Sequence, residues 1–183
     1  MGDFQRHYKA DLTDRQLMDF WRLAQASGRD RSICFDLPPM DGPAFATWCR
    51  REDIHPWIVT YKDVPMGFYY LTQRQGKTAH IHFLTLPCGT HRTESKLPVA
   101  LAAALFGLGS ALWERTATSY QLDTLIGITP TCNQKAVKFI LRCGAVECGT
   151  VPNLCFFHDE GEHSAGLVTV FNRASVPGWT AKL

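Results

Sequence analysis

The run 97–113 restricts the fold more than any other feature, because it carries no charged residue and lies between two β-rich runs, 79–86 and 122–128. A strand, a helix and a strand in that order close into a right-handed crossover, with the two strands parallel in one sheet. Pro98 suits the first turn of such a helix, which the sequence carries to about residue 116. At about 1.5 Å per residue the run falls just short of a bilayer core of about 30 Å. Its Ala and Gly content and amphipathic flanks favour a core helix over a membrane span. With no polar face to show water, it should be covered by the sheet on one side and by the first helix or a second subunit on the other.

The remaining elements follow from start and stop signals. In Leu12-Thr13-Asp14-Arg15-Gln16-Leu17, Thr13 can cap a helix, Gln16 can reach back to it, and Leu12 can staple onto Leu17. Leu17, Phe20, Trp21 and Ala24 then repeat at helical spacing, and Gly28 offers a left-handed stop, which predicts a helix over 14–27. A short helix is expected after Asp41-Gly42-Pro43, burying Phe45, Trp48 and Cys49. Runs 57–61, 66–72 and 79–86, separated by turns at 62–65 and 74–77, predict an antiparallel meander. After 122–128, Thr131-Cys132-Asn133-Gln134 repeats the Thr-x-x-Gln capping pattern. The helix it opens has the stripe Ala136, Val137, Ile140 and Leu141 and ends at Gly144. Strands at 145–149 and 166–172 close the chain, joined by a loop holding His158, Glu160, Glu162 and His163. The order is strand, two helices, three strands, helix, strand, helix, two strands. It predicts an α+β (mixed α/β) protein whose central mixed sheet of about six or seven strands is flanked by about four helices, in a single domain spanning 1–183.

Composition narrows the partners. At 183 residues, 45% apolar and 20% charged, the chain has the makings of a self-folding core, and a formal charge of +2 without a Lys/Arg stripe gives no reason to expect nucleic acid. The first residues lack a basic segment followed by an apolar run, so the expected compartment is the cytoplasm. Seven cysteines without C-x-x-C spacing fit free thiols better than a disulfide framework or a zinc finger. His80, His82, His158 and His163 match no ligand spacing, so no metal is expected.

The element order, and above all Asn133-Gln134-Lys135-Ala136, residues 139–143 and then Gly144-Ala145-Val146-Glu147-Cys148-Gly149, resembles the GNAT family of acetyltransferases. The likeness is to that family's Asn-x-x-Ala helix, followed by Gly-Phe and the next strand at the same spacing. In element order it covers nearly the whole chain, and in residues about 122–152. It implies that acetyl-CoA enters where the fourth and fifth strands splay, its pantetheine along the backbone of Phe83, Leu84, Thr85 and Leu86, with Asn133 lining the gap. It further implies that the pyrophosphate rests on the turn 88–97, on Arg92, Thr93, Ser95 and Lys96; a helix N-terminus favours an anion on physical grounds alone. Three positions depart from the family: Glu94 and Leu97 stand in that turn, and Ile140 stands where many members carry a Tyr that protonates the leaving thiolate.

The implied activity is direct transfer of an acetyl group from acetyl-CoA to an amine of a small molecule or protein, through a ternary complex without a covalent enzyme intermediate. The alternative is a GNAT-fold binding or structural protein without cofactor chemistry, and a homodimer is open in both cases. A proton must leave the attacking amine, and His80 and His82, on one face of the fourth strand, titrate in the right range. They can equally face solvent or bond within the core. Cys88, at the end of a strand, could be a nucleophile, but nothing in the sequence argues for a lowered pKa, so it reads as a buried or incidental thiol. Phe68, Tyr69, Tyr70, Trp48 and Trp57 suit either an acceptor pocket or core packing.

Overall fold

Gln16 N–H donates to Thr13 Oγ1 at 3.3 Å and Thr13 N–H donates to Gln16 Oε1 at 2.8 Å, so the expected capping box starts α1, Asp14–Ala26. The structure, a computed structural model, describes residues 4–33, 35–86, 122–142 and 144–172. Helix α1 stops as expected at Gly28, whose φ is +64°. Arg29 N–H donates to the Ala24 carbonyl at 2.8 Å and Gly28 N–H to that of Gln25 at 2.9 Å, which together form a Schellman motif. A four-residue turn of helix that the sequence did not signal, α2 (Asp30–Ile33), follows. In α3 (Gly42–Arg50) the Asp41 carboxylate accepts from Ala44 N–H at 2.8 Å, and Pro43 sits in the first turn.

Among the described residues seven strands form one sheet: β1 (Phe4–Tyr8), β2 (His55–Tyr61), β3 (Val64–Gln75), β4 (Thr78–Thr85), β5 (Thr124–Pro130), β6 (Val146–Phe157) and β7 (Glu162–Asn172), in the order β1-β2-β3-β4-β5-β7-β6. The β1–β2, β2–β3 and β5–β7 ladders are antiparallel, while β4 and β5 run parallel. The crossover therefore joins the strands that the sequence indicated. The expected helix at 98–116 and the turn at 88–97 lie outside the described residues.

Several boundaries differ from the expectation, each for a local reason. Lys62 and Asp63 have φ of +47° and +63°, so two residues make the β2–β3 turn, and Val64 and Pro65 belong to β3. Strand β6 runs far past residue 149, and β7 starts at Glu162, so Glu162 and His163 lie in a strand rather than a loop. Along β6 nearly every residue from Val146 to Leu154 is exposed, so no alternation of burial existed for the sequence to display. The last described helix, α4 (Gln134–Arg142), is capped by Asn133 and not by Thr131: Asn133 Oδ1 accepts from Ala136 N–H at 3.2 Å, and the Gln134 amide instead donates to the Thr131 carbonyl at 2.7 Å. In its stripe Ile140 is buried, whereas Leu141 is exposed.

The described residues divide into two compact units, one of residues 4–73, 81–86 and 155–163, the other of residues 74–80, 122–154 and 164–172. In the first, one face of α1 (Leu17, Phe20, Trp21, Ala24) and of α3 (Phe45, Ala46, Trp48, Cys49) packs on Ile58, Phe68, Tyr70, Leu84 and Leu86. Trp21 stacks on Phe45 at 4.3 Å between ring centroids and Phe20 on Phe68 at 5.3 Å, which fixes how the helices seat on the strands. In the second, Gly127 of β5 permits a close approach, since a Cβ there would lie 2.8 Å from Thr169 Oγ1 and 3.0 Å from Ile140 Cδ1. Among the described residues no helix is long and apolar enough to cross a membrane, and Cys49, Cys132, Cys148 and Cys155 are free thiols.

Candidate functional site

Strand β4 carries five of the residues to which the sequence pointed, His80, His82, Phe83, Leu84 and Thr85, and Leu86 follows it directly. Its even-numbered side chains share one face, and Leu84 and Leu86 are buried in the aromatic core beneath α1 and α3. His82, on the same face, is half-buried. Its ring stacks on that of Tyr70 at 4.4 Å with 3° between the planes, and its Nε2 lies 3.2 Å from Thr72 Oγ1. Tyr70 is in turn held edge-on by Trp48 at 4.8 Å. The imidazole is thus pinned by a ring on one side and a hydroxyl at its edge, which fixes its orientation while leaving part of it in reach of solvent.

His80 is also half-buried, and burial pulls its pKa below the ordinary histidine value, which favours the neutral ring that can accept a proton. It occupies the last of three registered pairs of the β4–β5 ladder, Thr78 with Thr124, Ala79 with Leu125 and His80 with Ile126. Both strands continue past that pair, β4 to Thr85 and β5 to Pro130.

Of the backbone expected to hold pantetheine, Leu86 N–H donates to the Met66 carbonyl at 2.9 Å, and the Leu84 carbonyl lies against Gly67, where a Cβ would come within 2.8 Å of it. Leu84 and Leu86 are therefore committed to β3. Because peptide groups alternate sides along a strand, Phe83 and Thr85 direct theirs to the opposite edge. Asn133 has its Oδ1 engaged as the cap of α4, so its first role is structural. Ile140 is buried at 1% exposure against Gly127 and brings no hydroxyl to the position. Arg92, Thr93, Ser95, Lys96 and Cys88 lie outside the described residues. Among the described residues no three His, Cys, Asp or Glu side chains converge as metal ligands.

The aromatics are sorted more finely than the sequence allowed. Phe68, Tyr70 and Trp48 belong to the core, and Trp57 stacks flat on Tyr69 at 4.9 Å. Thr72 was missed as a partner of His82. The two-residue turn Gly76-Lys77 taken alone would set His82 opposite Leu71, and the left-handed backbone of Gln73, φ +50°, absorbs the one-residue offset that brings Tyr70 and Thr72 to it.

No protein-family model matches the sequence, and neither does any protein of curated function. Solved structures do. Spermidine N-acetyltransferase from Vibrio cholerae, in complex with CoA and spermine, is 14% identical over 96% of this chain and 99% of that chain, at a TM-score of 0.67. A putative acetyltransferase from Salmonella typhimurium with its cofactor acetyl-CoA is 10% identical over 93% of this chain and 94% of that one, at 0.63. A probable acetyltransferase is 13% identical over 95% of each chain, at 0.70. At such identities the likeness is one of fold.

Proposed function

Starting from the GNAT acetyltransferase fold of this chain, we propose that the protein moves an acetyl group from acetyl-CoA directly to an amine. The observation behind this is His82, held at 3.2 Å by Thr72 and stacked on Tyr70 on the strand that the fold family uses to present its thioester. The structures of the same fold that hold CoA with spermine, or acetyl-CoA, support the choice of co-substrates.

In this mechanism the amine nitrogen attacks the thioester carbonyl, the N–C bond forms as the C–S bond breaks, and CoA leaves as its thiolate. His82 or His80 takes the proton from the amine; a base whose pKa lies below the working pH is neutral and ready for that step. Thr85 and Phe83 offer the backbone edge along which the pantetheine pairs, and Leu84 and Leu86 anchor that edge in the core. Asn133 sets the start of α4. Arg92, Thr93, Ser95 and Lys96 hold the pyrophosphate, and the protein acts in the cytoplasm.

Ile140 favours a second reading, a GNAT-fold binding protein without chemistry, because a buried aliphatic residue stands at the position where many members have a Tyr. Calorimetry with acetyl-CoA separates the two. Binding in the micromolar to millimolar range, followed by amine-dependent release of CoA thiol, is expected. Absence of heat at millimolar acetyl-CoA would leave the binding protein. Arg92→Ala with Lys96→Ala should weaken acetyl-CoA by about 10-fold or more, since a charge-assisted contact contributes about 1.5–3 kcal/mol.

A further inference from the structure

A cavity of about 80 Å³ in the first unit is lined by residues of α1, the stretch 30–40 and the β6–β7 turn, and the mechanism above uses none of them. One water occupies roughly 10–15 Å³ of such space, so the cavity takes on the order of six heavy atoms. It is already assembled. His158 N–H donates to the Phe35 carbonyl at 3.3 Å, Phe35 and Phe157 lie 5.7 Å apart, and Arg31 Nε pairs with Asp159 Oδ2 at 3.2 Å.

Its lining mixes the apolar side chains Trp21, Phe35, Leu37, Met40 and Phe157 with polar and charged ones. Trp21 contributes its indole, but Nε1 donates to the Met40 carbonyl at 2.9 Å, and the Gln25 amide donates to the same oxygen at 3.2 Å. The ring therefore offers the cavity carbon rather than a donor. The charged part of the lining is Asp30, Asp159 and Glu160 against a single guanidinium, Arg31, with His158 beside them. Arg31 and Asp159 neutralise each other, which leaves the charges of Asp30 and Glu160, neither with a partner among the described residues. Aromatic rings sharing a cavity with an excess of carboxylates attract a cation that has an apolar body, and the carboxylates repel an anion.

We infer that this cavity binds a small primary ammonium ion carrying a ring or branched chain of about six carbons, its body against Trp21, Phe35 and Phe157 and its charge toward Asp30 and Glu160. That this ion is also the acetyl acceptor rests on the transfer function proposed above; that it binds does not.

The test titrates the full chain with benzylamine, benzyl alcohol and putrescine, each with and without saturating acetyl-CoA. Benzylamine should bind at least about 10-fold more tightly than benzyl alcohol, which lacks the charge, and than putrescine, which lacks the ring. Asp30→Asn with Glu160→Gln should erase the advantage over the alcohol, and Phe157→Ala the advantage over putrescine. Should the double variant fail to fold, Glu160→Gln alone is read, since its side chain is exposed. Equal affinity for amine and alcohol, an unaffected carboxylate variant, or no benzylamine binding at roughly 10 mM, where even a weak site fills, would each overturn the inference. Benzylamine bound without any acetyl-CoA binding would keep the ammonium site and sink the transfer function. Acetyl-CoA bound without benzylamine would do the reverse.

Discussion

His80 and His82 share a face of one strand, yet their surroundings differ. His82 is fixed by Tyr70 and Thr72, and His80 is set apart by burial, which lowers its pKa. The sign has a consequence for stability. Between the lowered folded pKa and the ordinary value near 6.5, the unfolded chain binds the proton and the folded one does not, so His80 stabilises fully above about pH 6.5 and loses that contribution as pH falls. His80→Gln should flatten the decline of denaturant midpoint below pH 6.5; identical slopes in variant and parent would contradict the burial. If His80 is the base, the acid limb of the pH–rate profile also lies below the usual histidine range and vanishes in the variant. That both histidines face one way was legible from period-2 alternation. Their partners were not, because Gln73 shifts the register by one residue, and glutamine gives no hint of a positive φ.

The elements were most legible where side chains satisfy their own backbone. Thr13, Gln16 and Gly28 announced both ends of α1, and all three act as read. The same pattern misled at α4, since Thr131-x-x-Gln134 competes with Asn133, which lies nearer the helix and holds Ala136 N–H. Asn133→Ala should cost about 1 kcal/mol, the usual worth of a cap, with Asn133→Ser restoring most of it. Acetyl-CoA affinity recovered along with stability would mark a cap alone, while affinity lost in both variants would keep Asn133 in the binding site. Gly127 presents the opposite case, a residue needed for having no side chain. In Gly127→Ala the new Cβ meets buried Thr169 and Ile140, so overpacking should cost about 1–3 kcal/mol in urea denaturation. A variant of parental stability would show that the α4 contact yields without cost.

On the scale of the molecule, the parallel crossover was readable because an uncharged run between two β-rich runs has few alternatives. The extent of β6 was not, because an exposed edge strand is held by its ladder and not by a buried stripe. The two units are not consecutive in the chain: β4 contributes Thr78 to His80 to one and Ile81 to Thr85 to the other, and the β6–β7 hairpin is likewise divided. Strands shared in this way should make unfolding all-or-none. Tryptophan fluorescence and far-UV circular dichroism are expected to report one coincident transition, as for a single domain. Two separated transitions would define two domains.

The four described thiols sort by depth, Cys132 and Cys148 at the surface, Cys49 and Cys155 fully buried. Burial also drives the Cys49 thiol far above its usual range, so its reactive thiolate is almost absent while α3 stays seated. An alkylating reagent will therefore mark the two outer sulfurs at once and reach Cys49 only when the aromatic core comes apart. The rate at which Cys49 is labelled is a clock for that opening, read at a sulfur native to the chain.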